Sequence, residues 1–308
     1  MAKSSAVAAK GGNRMMRELP LYLLVLPAVV IVGIYSYGAM VGIVIAFQKF
    51  IPTKGLFGSE WIGFGNFKTL LALPNFGGVI RNTILISVFK IIGGIIVPVS
   101  FALLLNEIGN KFFKRILQTM VYLPNFMSWV ILSGIFIDIL SPSNGIVGKF
   151  ISFLGFKAPF FIGDPKWFPA AMIFTDIWKG FGFGSVIYLA ALTSIDPTLY
   201  ESAVMDGANR LKQTIHITLP GITSTIILMS VLSMANILNG GFEQIFNMYS
   251  PSVYPTGDIL DTLVYRLGIQ QTKYAVSTAA GLIKSGVSLV FILASYKMAD
   301  IFAGYRIF

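Results

Sequence analysis

Cysteine is absent from the 308 residues, and histidine occurs once, as His216. Without cysteine there is no disulfide framework, no thiolate metal site and no cysteine nucleophile. A single imidazole excludes a multi-histidine zinc site. Charge is scarce as well. Charged residues make up 12% of the chain, against about 25% in a soluble globular domain. The remainder is 55% hydrophobic, with a mean hydropathy of +0.77. So little polar surface cannot wet a water-soluble fold, and lipid is the expected solvent for most of the chain. Disordered, collagen-like and coiled-coil classes are excluded by the same composition. Acid is scarcer than base: 23 Lys and Arg face 13 Asp and Glu, a net charge of +10. In a soluble chain such an excess points to nucleic acid. In an apolar chain it points to basic loops on the cytoplasmic side of a bilayer, with no nucleic-acid partner. No Gly-x-x-x-x-Gly-Lys-Ser/Thr phosphate loop occurs, so this chain is not expected to hydrolyse ATP alone. What remains is a membrane protein that moves or binds a solute rather than an enzyme.

A spanning helix needs about 20 mostly apolar residues. Six stretches qualify: 21–47, 79–105, 116–140, 169–192, 221–246 and 276–296. They define an all-α polytopic membrane protein with a transmembrane domain over 19–300, between tails 1–18 and 301–308. An even number of crossings puts both termini on one side. That side would carry Lys3, Lys10, Arg14, Arg17, Lys111, Lys114, Arg115, Arg210, Lys212, Lys297 and Arg306. The other would carry Lys49, Lys54, Lys68, Lys149, Lys157, Lys166, Arg266 and Lys273. The bias puts both termini in the cytoplasm. The first apolar run is too long for a signal-peptide core and is expected to be retained. The polar tail Met1–Arg14 is expected to be disordered. Trp61, Trp167 and Tyr254 suit an interfacial aromatic belt. Gly38 with Gly42, and Gly180 with Gly184, have the spacing of close helix contacts.

The segment 194–220 has its own helix punctuation. Asp196 is a good N-cap, and Pro197 sits at the first helical position, where its missing N–H costs nothing. Thr198 and Glu201 have capping-box spacing. Asp206-Gly207 signals a turn. A second short helix is expected from Ala208 to Thr218, and Pro220-Gly221 punctuates the start of the fifth span. The pattern predicts a helix–turn–helix outside the bilayer, joined stiffly to two spans.

These residues resemble the signature of ABC importer permeases, the EAA loop. Its pattern is Glu-Ala-Ala, two residues, Asp-Gly-Ala, eight residues, Ile, one residue, Leu-Pro. The chain has Glu201-Ser202-Ala203, Asp206-Gly207-Ala208, then Ile217 and Leu219-Pro220 at that spacing. Ser202 for Ala is the one departure, and it preserves small size. The resemblance implies that Glu201, Ser202, Ala203, Asp206, Gly207 and Ala208 belong to a coupling helix docking on a cytoplasmic ATPase. Small residues let helix backbones pack closely, and Glu201 offers a fixed anion to a basic partner. Further likeness lies in Tyr122-Leu123-Pro124-Asn125-Phe126-Met127-Ser128-Trp129, Ser141-Pro142-Ser143-Asn144-Gly145 and Trp178-Lys179-Gly180. Asp258-Ile259-Leu260-Asp261-Thr262 with Tyr265-Arg266 adds to it. Together they resemble the LplB-like polysaccharide and oligosaccharide branch of the maltose-type carbohydrate importers. That family implies a six-helix type I importer fold in a bacterial cytoplasmic membrane. It also implies a second, homologous permease in a heterodimer, two ATPase subunits, an external solute-binding protein and an oligosaccharide substrate. ATP and Mg would be held by the ATPase subunits, with no cofactor on this chain.

Polar groups inside spans are costly and mark protein interiors or watery paths. They are Arg81, Asn82, Lys90, Asp138, Asp176, Lys179, Asn236, Asn239, Glu243, Gln244 and Lys284. Arg81 and Asn82, near a span end, suit snorkelling. Asp176 and Lys179, three apart, suit a local ion pair. Lys90 and Lys284 lie nearer mid-span, where they either pair structurally or make a cationic cavity for an acidic sugar. The run Asn236, Asn239, Gly240, Gly241, Phe242, Glu243 and Gln244 is a polar break in the fifth span. Two glycines weaken the helix and admit a ligand or another backbone. Asn, Gln and Glu match sugar hydroxyls, and Phe242 offers a face to a pyranose. The family resemblance implies that this region contributes to a substrate cavity. The rival reading is an ion-coupled secondary transporter with Asp138, Asp176 or Glu243 as the relay. A membrane enzyme would need a carboxylate site, because the other usual catalytic side chains are missing.

Overall fold

Apolar runs become helices in lipid because only a helix satisfies every backbone N–H and C=O within one segment. The structure, a computed structural model, describes residues 12–235 and 237–303. The helices that matter here are α1 (Gly12–Val32), α2 (Phe76–Asn106), α3 (Lys111–Tyr122), α4 (Trp129–Ile139) and α5 (Phe168–Leu192). They continue with α6 (Pro197–Met205), α7 (Arg210–Gly221), α8 (Thr223–Met234), α9 (Phe242–Met248), α10 (Leu260–Tyr265) and α11 (Tyr274–Ala303). Strand among the described residues is one antiparallel pair, Gln48–Lys49 with Glu60–Trp61, Gln48 lying opposite Trp61.

Among the described residues three stretches are long and apolar enough to cross a bilayer: Glu18–Phe47, Phe76–Asn106 and Tyr274–Lys297. Two bent pairs would each add one if counted as a single crossing: Lys111–Phe126 with α4, and α7 with α8. α5, with 25 residues, is long enough for a core of about 30 Å but carries Asp176 and Lys179. α1 begins at Gly12, inside the expected tail. Residues 1–11 and 304–308 lie outside the described residues.

Two expected spans are broken. The stretch 116–140 is not one helix: α3 and α4 meet at 106°. Pro124 has no N–H to continue the ladder. Ser128 then starts α4 afresh, its Oγ accepting from the Ile131 N–H at 3.4 Å. The stretch 221–246 is also interrupted. α8 stops at Met234, and the helix resumes as α9 only at Phe242, after Gly241 at φ +88°.

α2 and α5 form the central pair. At one end of α2, Phe76 and Val79 join Leu260, Leu263, Leu267 and Ala280. Midway, Ile86 packs with Phe168, Ala171 and Met172 of α5 and with Ile245 and Met248 of α9. At the far end Val99 and Ala102 meet Tyr188, Leu192 and Ile222. In lipid such burial gains close packing more than dehydration. The tight approach on α5 is at Gly182, where an added Cβ would collide with the Val121 carbonyl of α3. Gly42 and Gly180 have no neighbour within 4 Å of such an atom, whereas one at Gly184 would lie 3.4 Å from Pro98 of α2, so only the Gly184 half of that spacing makes a helix contact. The first span stands apart over residues 19–41, which are exposed throughout, while its last turns pack against α11 and bury Ala46.

Candidate functional site

The expected site residues fall in two places in the fold. The first is the hairpin α6–α7. Asp196 caps α6, its carboxylate accepting from the Thr198 N–H at 2.9 Å, with Pro197 at the first helical position. That hydrogen bond holds the Asp196 carboxyl below its ordinary range. A depressed value means that the cap is intact at neutral pH and is lost only as pH falls through the lowered value. The capping-box spacing of Thr198 and Glu201 is not used, because the helix starts two residues earlier. The Thr198 carbonyl instead accepts from Ser202 Oγ at 2.9 Å.

The end of α6 depends on Gly207, at φ +74°. Its N–H donates to the Val204 carbonyl at 3.0 Å, and the Ala208 N–H donates to the Ala203 carbonyl at 2.9 Å. This pair is a Schellman turn, which requires a left-handed residue at that point. Asn209 then caps α7 by accepting from the Lys212 N–H at 2.9 Å. The second helix therefore runs 210–221 rather than 208–218. Tyr200 Oη and Thr218 Oγ1, 3.0 Å apart, tie the two arms together. Arg210 pairs with Glu107 at 2.8 Å, joining the hairpin to the end of α2. Both side chains are exposed, so the pair adds little stability. Leu199, Val204, Met205 and Leu211 form an apolar tip, with Met205 88% exposed. Glu201 and Asp206 are exposed beside it. Asp196→Ala should loosen this hairpin. Faster amide exchange at Thr198 than in the unaltered protein checks it; unchanged exchange would show that Pro197 alone sets the turn.

The second place is the break between α8 and α9. Lys90 of α2, 8% exposed, donates to the Gly240 carbonyl at 2.9 Å and to Gln244 Oε1 at 2.5 Å. Asp176 Oδ1 lies 3.4 Å from the same ammonium. Gln244 donates in turn to the Met172 carbonyl at 2.8 Å and Thr175 Oγ1 at 2.7 Å. Position 241 calls for glycine because φ is +88°, and an added Cβ would also sit 2.7 Å from Lys90 Nζ and push that ammonium aside.

On the other side of the break, Lys284 of α11 donates to Asn239 Oδ1 at 2.9 Å and Asp261 Oδ1 at 2.5 Å. A cleft of about 630 Å³ opens there, lined by Asn239, Phe242, Asp261, Tyr265, Tyr274 and Lys284 among others. Phe242 stacks on Phe246 at 5.2 Å and meets Tyr265 at 5.4 Å. A smaller cavity of about 260 Å³ is lined by Ser87, Lys90, Asp176, Ser233, Asn239 and Gly241. Asn239 and Gly241 line both, so the break in the fifth span is the wall between them.

The sequence-predicted residues thus separate. Asn239, Phe242 and Lys284 line the larger cleft and Lys90 the smaller. Gly240 is buried and contributes its carbonyl. Gln244 is fully buried and serves Lys90. Glu243 is exposed and lines neither cavity. Asn236 lies outside the described residues. Asp176 does not pair with Lys179: it faces Lys90, and Lys179 sits 4.5 Å over the Trp129 ring. Asn82 does not snorkel. It is buried and donates to the Pro255 and Asp258 carbonyls at 3.1 and 3.3 Å, while Arg81 is exposed. Asp261 and Tyr265 are not among the expected path residues, although both lie in the run 258–266 that carries the family likeness. In that run Asp258 is buried against Arg266 and Thr262. Among the described residues no group of three His, Cys, Asp or Glu could hold a metal ion.

A broken membrane helix beside two cavities, with a capped hairpin leading into it, belongs to a known class. Residues 94–303 match the family of binding-protein-dependent transport system inner membrane components, and the chain belongs to that family. It is a membrane-embedded transport component. The chain is 37% identical over 289 residues to the polygalacturonan/rhamnogalacturonan transport system permease protein YteP of Bacillus subtilis, covering 94% of this chain and 90% of that one. It is 38% identical to protein LplB of the same organism over 286 residues, with 93% and 90% covered. Among solved structures, it superposes on a chain of a bacterial ABC transporter involved in import of the acidic polysaccharide alginate. The TM-score is 0.87 at 38% identity, covering 94% of this chain and 98% of that one. The same transporter, solved with its alginate-pentasaccharide-bound periplasmic protein, gives 0.86.

Proposed function

We propose that the chain is the permease subunit of an ATP-driven importer of oligosaccharides, with fragments of acidic polysaccharides among its substrates. The observation that carries this reading is the hairpin 194–220. It is capped at both helix starts, closed by a Schellman turn at Gly207, and tipped with exposed apolar side chains. Glu201, Ser202, Ala203, Asp206, Gly207 and Ala208 form its dock on a separate ATPase subunit. Two such subunits hold ATP and Mg; this chain holds no cofactor. Both termini and the hairpin face the cytoplasm, and the six crossings of 19–300 form one half of the path. A second, homologous permease supplies the other half as a heterodimer. The exposure of residues 19–41 supports that partner, because this stretch finds no cover within its own chain. An external solute-binding protein delivers the sugar, as the complex of the alginate transporter with its periplasmic protein supports.

Co-purification from the native membrane tests the reading. The chain should bring down a second permease and an ATPase, and the reconstituted complex should hydrolyse ATP faster with an oligosaccharide and the binding protein. Solute uptake by the purified chain alone, driven by an ion gradient, would instead favour a secondary transporter.

A further inference from the structure

The mid-span lysines Lys90 and Lys284 are held in different ways, and the difference has a chemical meaning. An ammonium has three N–H donors. Lys90 directs all three at acceptors, namely Gly240, Gln244 and Asp176. Lys284 directs two, at Asn239 and Asp261. Its third donor has no acceptor among the described residues. Asp261 is complementary: Oδ1 accepts from Lys284, and Oδ2 meets no donor among the described residues. Both side chains are held yet reachable, at 19% and 20% exposure, on the wall of the larger cleft.

We propose that Asp261 and Lys284 together read adjacent hydroxyls of one sugar ring, and that they do not read a sugar carboxylate. The proposal rests on the importer function above and assigns the chemistry of its cleft. A vicinal diol presents a donor and an acceptor side by side, and this pair offers the matching acceptor and donor. Phe242, Tyr265 and Tyr274 on the same wall give ring faces for the apolar side of the pyranose. At about 630 Å³ the cleft falls within the ordinary range for small-ligand sites.

Charge decides against a carboxylate reader. Among the described residues Asp261 and Lys284 are the only charged side chains lining this cleft, and their charges cancel. The smaller cavity is balanced in the same way by Lys90 and Asp176. A uronate carboxylate brought to Lys284 would lie beside Asp261, and like charges at that distance repel in a low-dielectric site. A hydroxyl meets no such opposition. A preference for acidic saccharides is therefore set outside this cleft, which accepts acidic and neutral rings alike.

The test uses the co-purified complex in proteoliposomes with its own binding protein. The two probes are an α-1,4-linked galacturonic acid trisaccharide and its carboxyl-reduced, neutral counterpart. The binding protein's own preference is common to every variant, so it cancels when ratios are compared. Lys284→Gln and Asp261→Glu should each raise the KM for both probes by about tenfold. With Lys284→Gln the acid-to-neutral ratio should stay within about threefold of the unaltered complex. Asp261→Asn exposes an unbalanced ammonium and should move the ratio towards the acid. A Lys284→Gln variant that loses only the acidic probe would overturn the proposal, making Lys284 a carboxylate reader. Unchanged KM in all three variants would also overturn it, leaving the pair as internal scaffolding. Asp261→Glu keeps the ion pair and guards against loss of folding. Failure of the unaltered complex to respond to either saccharide, with ATP hydrolysis stimulated by no oligosaccharide in the co-purification test, would bring down the importer function itself, before any substitution is made.

Discussion

Gly207→Val is expected to cut substrate-stimulated ATP hydrolysis and uptake at least tenfold while the protein inserts in normal amounts. The cause is backbone, not space, since nothing lies within 4 Å of an added Cβ. At φ +74° an L side chain costs about 1–2 kcal/mol, and a β-branched one is the worst case. The chain would relieve that strain by leaving the left-handed region. The Gly207 and Ala208 N–H bonds that close α6 would then be lost, and the apolar tip would move relative to α7. A motor stroke is transmitted only through a stiff element. Gly207→Asn separates strain from side-chain bulk, because asparagine tolerates the left-handed region; it should retain most of the coupling. Glu201→Lys should also uncouple, by reversing a charge that has no ion-pair partner among the described residues. Normal uptake in Gly207→Val would mean that the hairpin is not the transmitting element.

The hairpin was the most legible part of the molecule, and the reason is local. Caps, a first-position proline and a left-handed glycine are set by residues one to five apart, so spacing alone carries them. The apolar runs that became α2, α5 and α11 were legible for a similar reason, since length and hydropathy decide them. The kink at Leu123–Ser128 was less visible, because average hydropathy over 116–140 hides a proline that ends one helix and a serine that starts the next. The break at 235–241 could be read from its glycines and amides. Its wiring could not. Lys90 and Gln244 are 154 residues apart, and Lys284 and Asp261 are on different helices. A sequence shows that a buried lysine must find an acceptor; only packing chooses which one. For that reason spacing offers Asp176 the nearby Lys179, whereas its partner in the fold is Lys90.

That wiring makes the second large prediction. Lys90→Met should destabilise the protein by on the order of 3 kcal/mol, read as a fall in the thermal midpoint of the purified complex. The substitution leaves the Asp176 carboxylate without its cation, and it deprives Gly240 and Gln244 of a donor. Asp176 is 35% exposed on the smaller cavity, which keeps the effect at the lower end for a broken buried pair. Lys90→Met combined with Asp176→Leu should recover part of the loss, because the orphaned charge is then gone. It should not recover all of it, because the Gly240 carbonyl and Gln244 Oε1 remain unpaired. Such partial, non-additive rescue distinguishes a structural pin from a substrate ligand. A ligand's removal would change which saccharides are carried and leave the midpoint alone. Lys90 has no donor left to offer a sugar, so its loss should loosen the wall between the two cavities and lower stability. The saccharide preference should stay where it was.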